Sequence, residues 1–169
     1  MKRGIYPGTF DPVTYGHLDL IKRSLTIFDE VVVAVAPNPK KMPLFTLEER
    51  VELIKEAVKD ISGVAVEPFG GLLVDYAKRR GCAALIRGLR AVSDYEFEMQ
   101  MTLMNRRLDK SIETVFLMPS EEHSFISSTI AKEVYSFGGS VKTIVPPNVA
   151  AALRKKYPIK KGSGGLINF

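Results

Sequence analysis

Apolar runs alternate with helical patterns along the whole chain, and that alternation leaves few architectures open. Residues 3–6, 30–36, 64–68, 83–86 and 114–118 read as strands, and 141–145 is a further candidate. The runs are continuous rather than alternating apolar with polar, as strands are when helices cover both faces of a sheet. Between them apolar residues recur at helical spacing, at Leu18, Ile21, Leu25 and Phe28, at Val51, Ile54 and Val58, and at Phe97, Met101, Met104 and Leu108. Two capping boxes, Thr46-Leu47-Glu48-Glu49 and Ser93-Asp94-Tyr95-Glu96, announce two of these helices. Further helices are predicted over 72–80, ending at Gly81, over 128–137, ending at Gly138-Gly139, and over 148–156, following Pro146-Pro147. The chain therefore reads as α/β, an open parallel sheet of about five strands with helices on both faces. Residues 1–157 form one domain on this reading. The stretch 158–169, with Lys160-Lys161-Gly162-Ser163-Gly164-Gly165, has the composition of a flexible basic tail.

Ligands of such sheets gather outside the carboxyl ends of the strands, where the strand order reverses. Four polar, glycine- or proline-rich segments follow predicted strands directly: 7–17, 37–43, 87–90 and 119–129. All four fall on one edge. In the first, Pro7-Gly8-Thr9-Phe10-Asp11-Pro12 interrupts regular structure before His17 opens a helix. Unpaired N–H groups and the positive end of the helix dipole make that turn attractive to phosphate. Gly16 is expected to let a ligand approach the backbone. In the third segment, Arg87 and Arg90 flank Gly88-Leu89, a spacing suited to gripping phosphate oxygens with several donors. In the fourth, Ser127, Ser128 and Thr129 run into a helix, and capping alone accounts for one of the three hydroxyls. Lys40 and Lys41 follow Pro37-Asn38-Pro39 on a loop too rich in proline to be helical and long enough to fold over a ligand.

Composition narrows the classes. With 169 residues, 46% of them hydrophobic, the chain can bury the core of one enzyme-sized domain. Its apolar runs are too short to span a bilayer and the N-terminus lacks a signal-peptide stretch, so a cytoplasmic protein with no membrane contact is expected. The single cysteine, Cys82, reads as a small buried thiol. A net charge of +5 raises the question of nucleic acid. Part of that excess, however, is Arg154, Lys155, Lys156, Lys160 and Lys161 near the C-terminus, and no helix-turn-helix, zinc-finger or RNP pattern accompanies it. The remaining bases beside glycine turns suit a small phosphorylated ligand.

The string Thr9-Phe10-Asp11-Pro12 followed by Thr14-Tyr15-Gly16-His17 resembles the T/HxGH signature of the nucleotidylyltransferases. The segments Ile86-Arg87-Gly88-Leu89-Arg90 and His123-Ser124-Phe125-Ile126-Ser127-Ser128 narrow the resemblance to the phosphopantetheine adenylyltransferases, from about Arg3 to Leu153. The resemblance implies a Rossmann-like nucleotidylyltransferase fold and reversible transfer of AMP from ATP to 4'-phosphopantetheine, giving dephospho-coenzyme A and pyrophosphate. It implies His17 and Lys41 as catalytic residues, and Thr9, Lys41, Leu73 and Arg87 as the acceptor site. Thr9, Phe10, His17, Gly88, Leu89, Arg90, Glu98, His123, Ser124, Phe125, Ile126, Ser127, Ser128 and Thr129 would bind ATP. Core packing accounts equally well for Leu73 and for its possible neighbour Met101, which with Asn105 would flank the pantetheine arm. Phosphates repel a carboxylate, so Glu98 is expected to orient the ribose or an arginine, with a plain surface glutamate the open alternative. His123 stands where the family often carries Tyr or Trp. Mg2+ is expected with ATP, held by phosphates and water, because no carboxylate cluster forms a dedicated metal cage. A homohexamer and feedback by coenzyme A are implied too. Two alternatives stay open: a related nucleotidylyltransferase acting on nicotinamide mononucleotide or a polyol phosphate, and a non-catalytic nucleic-acid-binding protein.

Overall fold

A computed structural model describes residues 1–38 and 42–158; Lys40, Lys41 and the tail from 159 onward lie outside the described residues. Five strands, β1 (Arg3–Gly8), β2 (Glu30–Val35), β3 (Val64–Pro68), β4 (Ala84–Gly88) and β5 (Glu113–Leu117), form one sheet in the order β3-β2-β1-β4-β5. Every neighbouring pair is parallel. The helices are α1 (Tyr15–Ser24), α2 (Leu47–Val58), α3 (Leu73–Arg79), α4 (Val92–Leu108), α5 (Ser128–Ser136) and α6 (Pro147–Lys156), with a 3-10 turn at Glu121–His123.

Side chains of a strand alternate between the faces of its sheet, so β2 feeds two cores at once. Val31, Val33 and Val35 join Tyr6, Ile21, Ile54 and Leu153 under α1, α2, α5 and α6. Val32 and Ala34 join Ile5, Leu85, Val74 and Ala77 under α3. Each of the valine, leucine and isoleucine side chains among them contributes about 1.5–3 kcal/mol on full burial, which is why both faces must be covered. Helix α4 behaves differently: Glu98 is buried, while Tyr95, Phe97, Met101, Leu103, Met104 and Leu108 are exposed.

Residues 141–145 form turns rather than a sixth strand, with Ile144 N and Val145 N both donating to the Val141 carbonyl at 3.0 Å. Val141 and Val145 are buried against the larger core, so the apolar run reports burial and not extension. Helix α4 also starts earlier than the predicted box at Ser93, with extended Ala91 as its N-cap. Near that cap the Asp94 carboxylate accepts from Arg90 N at 3.2 Å and Arg90 Nε at 3.3 Å.

The order reverses at β1, which pairs with β2 on one side and β4 on the other. The β1–β4 ladder registers Gly4 with Ala84 and Ile5 with Leu85. Farther along, the Arg87 guanidinium reaches across to donate to the Pro7 carbonyl at 3.2 Å. That is the switch point at which parallel sheets bind ligands.

Candidate active site

The β1–α1 turn delivers His17 to this switch point. Thr14 caps α1 in extended conformation, and His17 is the third helical residue, closing a capping box with it. Thr14 N donates to His17 Nδ1 at 3.0 Å, so Nδ1 is an acceptor and the hydrogen of the neutral ring sits on Nε2. The Thr14 hydroxyl lies 3.0 Å from the same nitrogen. Phe10, in the left-handed region at φ 50, presents its ring to the imidazole edge-on with centroids 5.0 Å apart. Burial, and then the positive charge of Arg90, push the His17 pKa down to about 4. The unliganded site therefore holds a neutral imidazole.

A Cβ at Gly16 would lie 3.4 Å from the carbonyl oxygens of His123 and Ile126, at the near limit of ordinary van der Waals contact, so the 123–126 turn packs closely on the start of α1.

Two buried charges tie the loops together. Asp11, 5% exposed, accepts from Leu44 N at 2.8 Å, Phe45 N at 2.9 Å and Lys132 Nζ at 3.0 Å. Arg50, 1% exposed, donates from Nη1 to the carbonyls of Thr9 at 2.6 Å and Ala36 at 2.7 Å. Its Nη2 donates to Pro37 O at 3.1 Å, and its Nε to Phe45 O at 3.1 Å and Thr46 O at 3.3 Å. The Thr9 hydroxyl accepts from Asn38 Nδ2 at 3.1 Å. Neither Asp11, Arg50 nor Asn38 had been singled out from sequence as functional. A signal existed for Arg50, which falls on the apolar stripe of α2 with Ile54 and Val58.

On β4, Arg87 pairs with Glu98 through two parallel bonds, Nε to Oε2 at 2.7 Å and Nη2 to Oε1 at 2.5 Å. Glu98 is thus an arginine-orienting residue, and its burial excludes the surface alternative. With one Nη1 hydrogen on Pro7, two of the five guanidinium hydrogens remain for a ligand. At Gly88 a Cβ would meet Leu20 Cδ1 at 2.4 Å, so any side chain there would force Leu20 of α1 out of its present position against β4. Leu89 N donates to Leu117 O at 3.0 Å.

The fourth segment lies over the start of α1. Asp19 accepts from Ser120 N at 2.7 Å, and the His123 ring stacks on Tyr15 with centroids 6.2 Å apart. His123 Nδ1 is buried with no hydrogen-bond partner among the described residues. Ser124 Oγ donates to the Glu121 carbonyl at 2.8 Å, Phe125 is 66% exposed, and Ile126 is buried in the fold. Ser127 caps α5 by accepting from Ile130 N at 3.1 Å, and Ser128 donates to the Pro12 carbonyl at 2.8 Å. Two of the three hydroxyls therefore have structural partners, and the surplus inferred from sequence is smaller than expected. Thr129 is exposed in the first turn of α5.

The fold brings Thr9, Phe10, His17, Arg87, Gly88, Leu89, Arg90, Glu98 and the 123–129 segment to one edge. Leu73 opens α3 after the carboxyl end of edge strand β3 and is partly buried against the smaller core. Met101 is 42% exposed, so core packing does not explain it. Lys41 lies outside the described residues. Among the described residues no three or more His, Cys, Asp or Glu side chains gather as a metal cage, and no helix is long and apolar enough to cross a membrane.

A cytidylyltransferase-like family profile matches residues 5–134. A phosphopantetheine adenylyltransferase of Thermodesulfovibrio yellowstonii is 60% identical over 157 residues, covering 92% of this chain and 98% of its own. Counterparts of the same name from Moorella thermoacetica and Caldanaerobacter subterraneus subsp. tengcongensis are 54% and 52% identical, each covering 93% of this chain and 98% of its own. Among solved structures, a Vibrio parahaemolyticus protein assigned as a nicotinate-nucleotide adenylyltransferase superposes with a TM-score of 0.70 at 20% identity, over 92% of this chain and 93% of that one. A lipopolysaccharide core biosynthesis protein of Thermoplasma volcanium gives 0.55 at 24% identity, over 72% of this chain and 99% of that one. Both structures attest the fold alone. At more than half identity over nearly its whole length, and with the switch-point site in place, the chain belongs to the phosphopantetheine adenylyltransferase family of cytidylyltransferase-like nucleotidyltransferases.

Proposed function

We propose that this chain transfers the adenylyl group of ATP to 4'-phosphopantetheine, reversibly, as a step of coenzyme A synthesis in the cytoplasm. The observation that carries the choice of acceptor is the 60% identity to a relative of that name over 92% of the chain. An oxygen of the acceptor phosphate attacks the α-phosphorus of ATP, the new P–O bond forms, the bond to the bridging oxygen breaks, and pyrophosphate leaves. A phosphate oxygen is already a nucleophile, so no side chain need be activated as one. Catalysis reduces to holding the two phosphates in line and stabilising the charge that spreads over the α-phosphate.

In this reading His17 donates Nε2–H to an α-phosphate oxygen, and the Thr14 amide on Nδ1 fixes the tautomer that makes this possible. Thr9, Arg87 and Lys41 bind the acceptor phosphate. The Thr9 hydroxyl, accepting from Asn38, keeps its own hydrogen for that contact. Glu98 sets the Arg87 guanidinium so that its remaining hydrogens face the crevice. Phe10, Gly88, Leu89, Arg90 and the segment His123 to Thr129 bind ATP, and Leu73 borders the pantetheine arm.

Mg2+ bound with ATP would neutralise charge on the triphosphate. The buried carboxylates of Asp11 and Glu98 are committed elsewhere, Asp11 to loop amides and Lys132 and Glu98 to Arg87, so the ion would be held by phosphate oxygens and water. The exposed apolar residues of α4 favour self-association, and we read the assembly as a homohexamer with coenzyme A as a feedback ligand of the same crevice. Pyrophosphate release from ATP and MgCl2 with 4'-phosphopantetheine tests the reaction. No release with that acceptor would overturn the reading.

A further inference from the structure

Arg50 heads the largest fully buried side chains, and among the described residues no carboxylate is hydrogen-bonded to it. A buried guanidinium is costly to desolvate unless every donor finds an acceptor. Core packing alone does not call for it, because a leucine or methionine there would continue the stripe of Ile54 and Val58 without that penalty. The acceptors of Arg50 are five carbonyls in three segments. Thr9 belongs to the β1–α1 turn, Ala36 and Pro37 to the exit of β2, and Phe45 and Thr46 to the entry of α2. The loop that leaves β2 and enters α2 is therefore gripped at both stems by the group that holds the backbone of Thr9. Asp11 adds the opposite polarity: it accepts from Phe45 N while Arg50 donates to Phe45 O. A planar fork with donors in several directions can span three segments, whereas the single ammonium of lysine cannot.

We propose that Arg50 is a positioning residue for nucleotidyl transfer, setting the distance between the Thr9 turn and the two stems at Ala36–Pro37 and Phe45–Thr46 on the acceptor side of the crevice. The inference rests on the adenylyl-transfer reading above. Arg50 touches neither substrate in this account; it acts through the backbone of Thr9 and the loop stems. Its loss should therefore be felt in the transition state and in acceptor binding, and not in the binding of ATP on the α5 side.

The test is Arg50→Lys in the full chain, assayed with ATP, MgCl2 and 4'-phosphopantetheine beside the wild-type protein. The expected result is a fall of about 100-fold in kcat, since small misplacements of reacting groups have effects of that order. Acceptor KM should rise, while the Kd of ATP by calorimetry stays within about threefold of wild type. A lower Tm with wild-type kcat per folded molecule would show Arg50 to be purely structural and overturn the proposal. If the variant does not fold, the wild-type protein decides through hydrogen exchange at the Arg50 guanidinium, followed by 15N NMR with a non-hydrolysable ATP analogue and 4'-phosphopantetheine. Binding that needs these bonds must stabilise them in return, so exchange should slow by roughly tenfold, and unchanged exchange would refute the role. Wild-type silence in the turnover assay would count against the acceptor and not against Arg50. The exchange measurement with the ATP analogue and each alternative acceptor would then decide the role of Arg50 by the same criterion.

Discussion

Removing His17 should cost turnover far more than it costs the fold, and the structure says which property of the ring matters. Its Nδ1 is taken by the Thr14 amide at 3.0 Å, leaving Nε2–H as the donor. With the pKa at about 4, only about one molecule in a thousand carries an imidazolium at pH 7, so the unliganded site offers a neutral donor. Loss of one preorganised donor to a developing oxyanion costs ~3–4 kcal/mol, so His17→Ala should lower kcat by roughly 100- to 1000-fold. His17→Gln restores a neutral N–H and should recover part of that loss. The same burial affects stability with a definite sign. The folded pKa lies below the value of about 6.5 expected for the unfolded chain, so the unfolded chain takes up the proton first. The stability tied to neutral His17 is complete above pH ~6.5 and is lost as pH falls toward about 4, by at most about 3 kcal/mol. His17→Ala should flatten that window in urea titrations. The assays are pyrophosphate release and an NMR titration of the chain's two histidines. A His17 midpoint at or above 6.5 in the free protein, or His17→Ala turnover within a few-fold of wild type, would refute the argument.

Lys41→Ala should reduce turnover by about two orders of magnitude, raise acceptor KM, and make that KM less sensitive to added salt than in the wild type, because a cation on the phosphates is being removed; steady-state kinetics at two ionic strengths check this. Thr46→Ala breaks the box with Glu49 and should lower stability by ~1 kcal/mol in urea denaturation, with kcat unchanged. Leu103→Asp on the exposed face of α4 should shift the assembly to smaller species in sedimentation velocity, whereas an unchanged profile would place the interface elsewhere.

The sheet was legible because its strands are buried on both faces, and continuous apolar runs at 30–36 and 83–86 leave little else to propose. The same signal misled at 141–145, where two buried valines belong to a turn; hydrophobicity reports burial and not backbone shape. That the segments 7–17, 87–90 and 119–129 fall on one edge was legible because each directly follows a strand of a parallel sheet. What holds those segments was not legible. The Arg87–Glu98 pair is 11 positions apart in sequence and was seen only as an expected arginine partner for Glu98. Asp11 reaches Lys132 across 121 positions, a contact that depends on the packing of α5 beside the β1–α1 turn. The hydroxyls at 127 and 128 were read as surplus because their partners, Ile130 N and Pro12 O, become visible only once the helix and the turn are in place.

The central claim is the acceptor, and pyrophosphate release with ATP and MgCl2 tests it most directly when 4'-phosphopantetheine is run beside nicotinamide mononucleotide and glycerol 3-phosphate. The account predicts release with 4'-phosphopantetheine alone, together with formation of dephospho-coenzyme A. Release with either of the other acceptors in its place, or with none of the three, would contradict it.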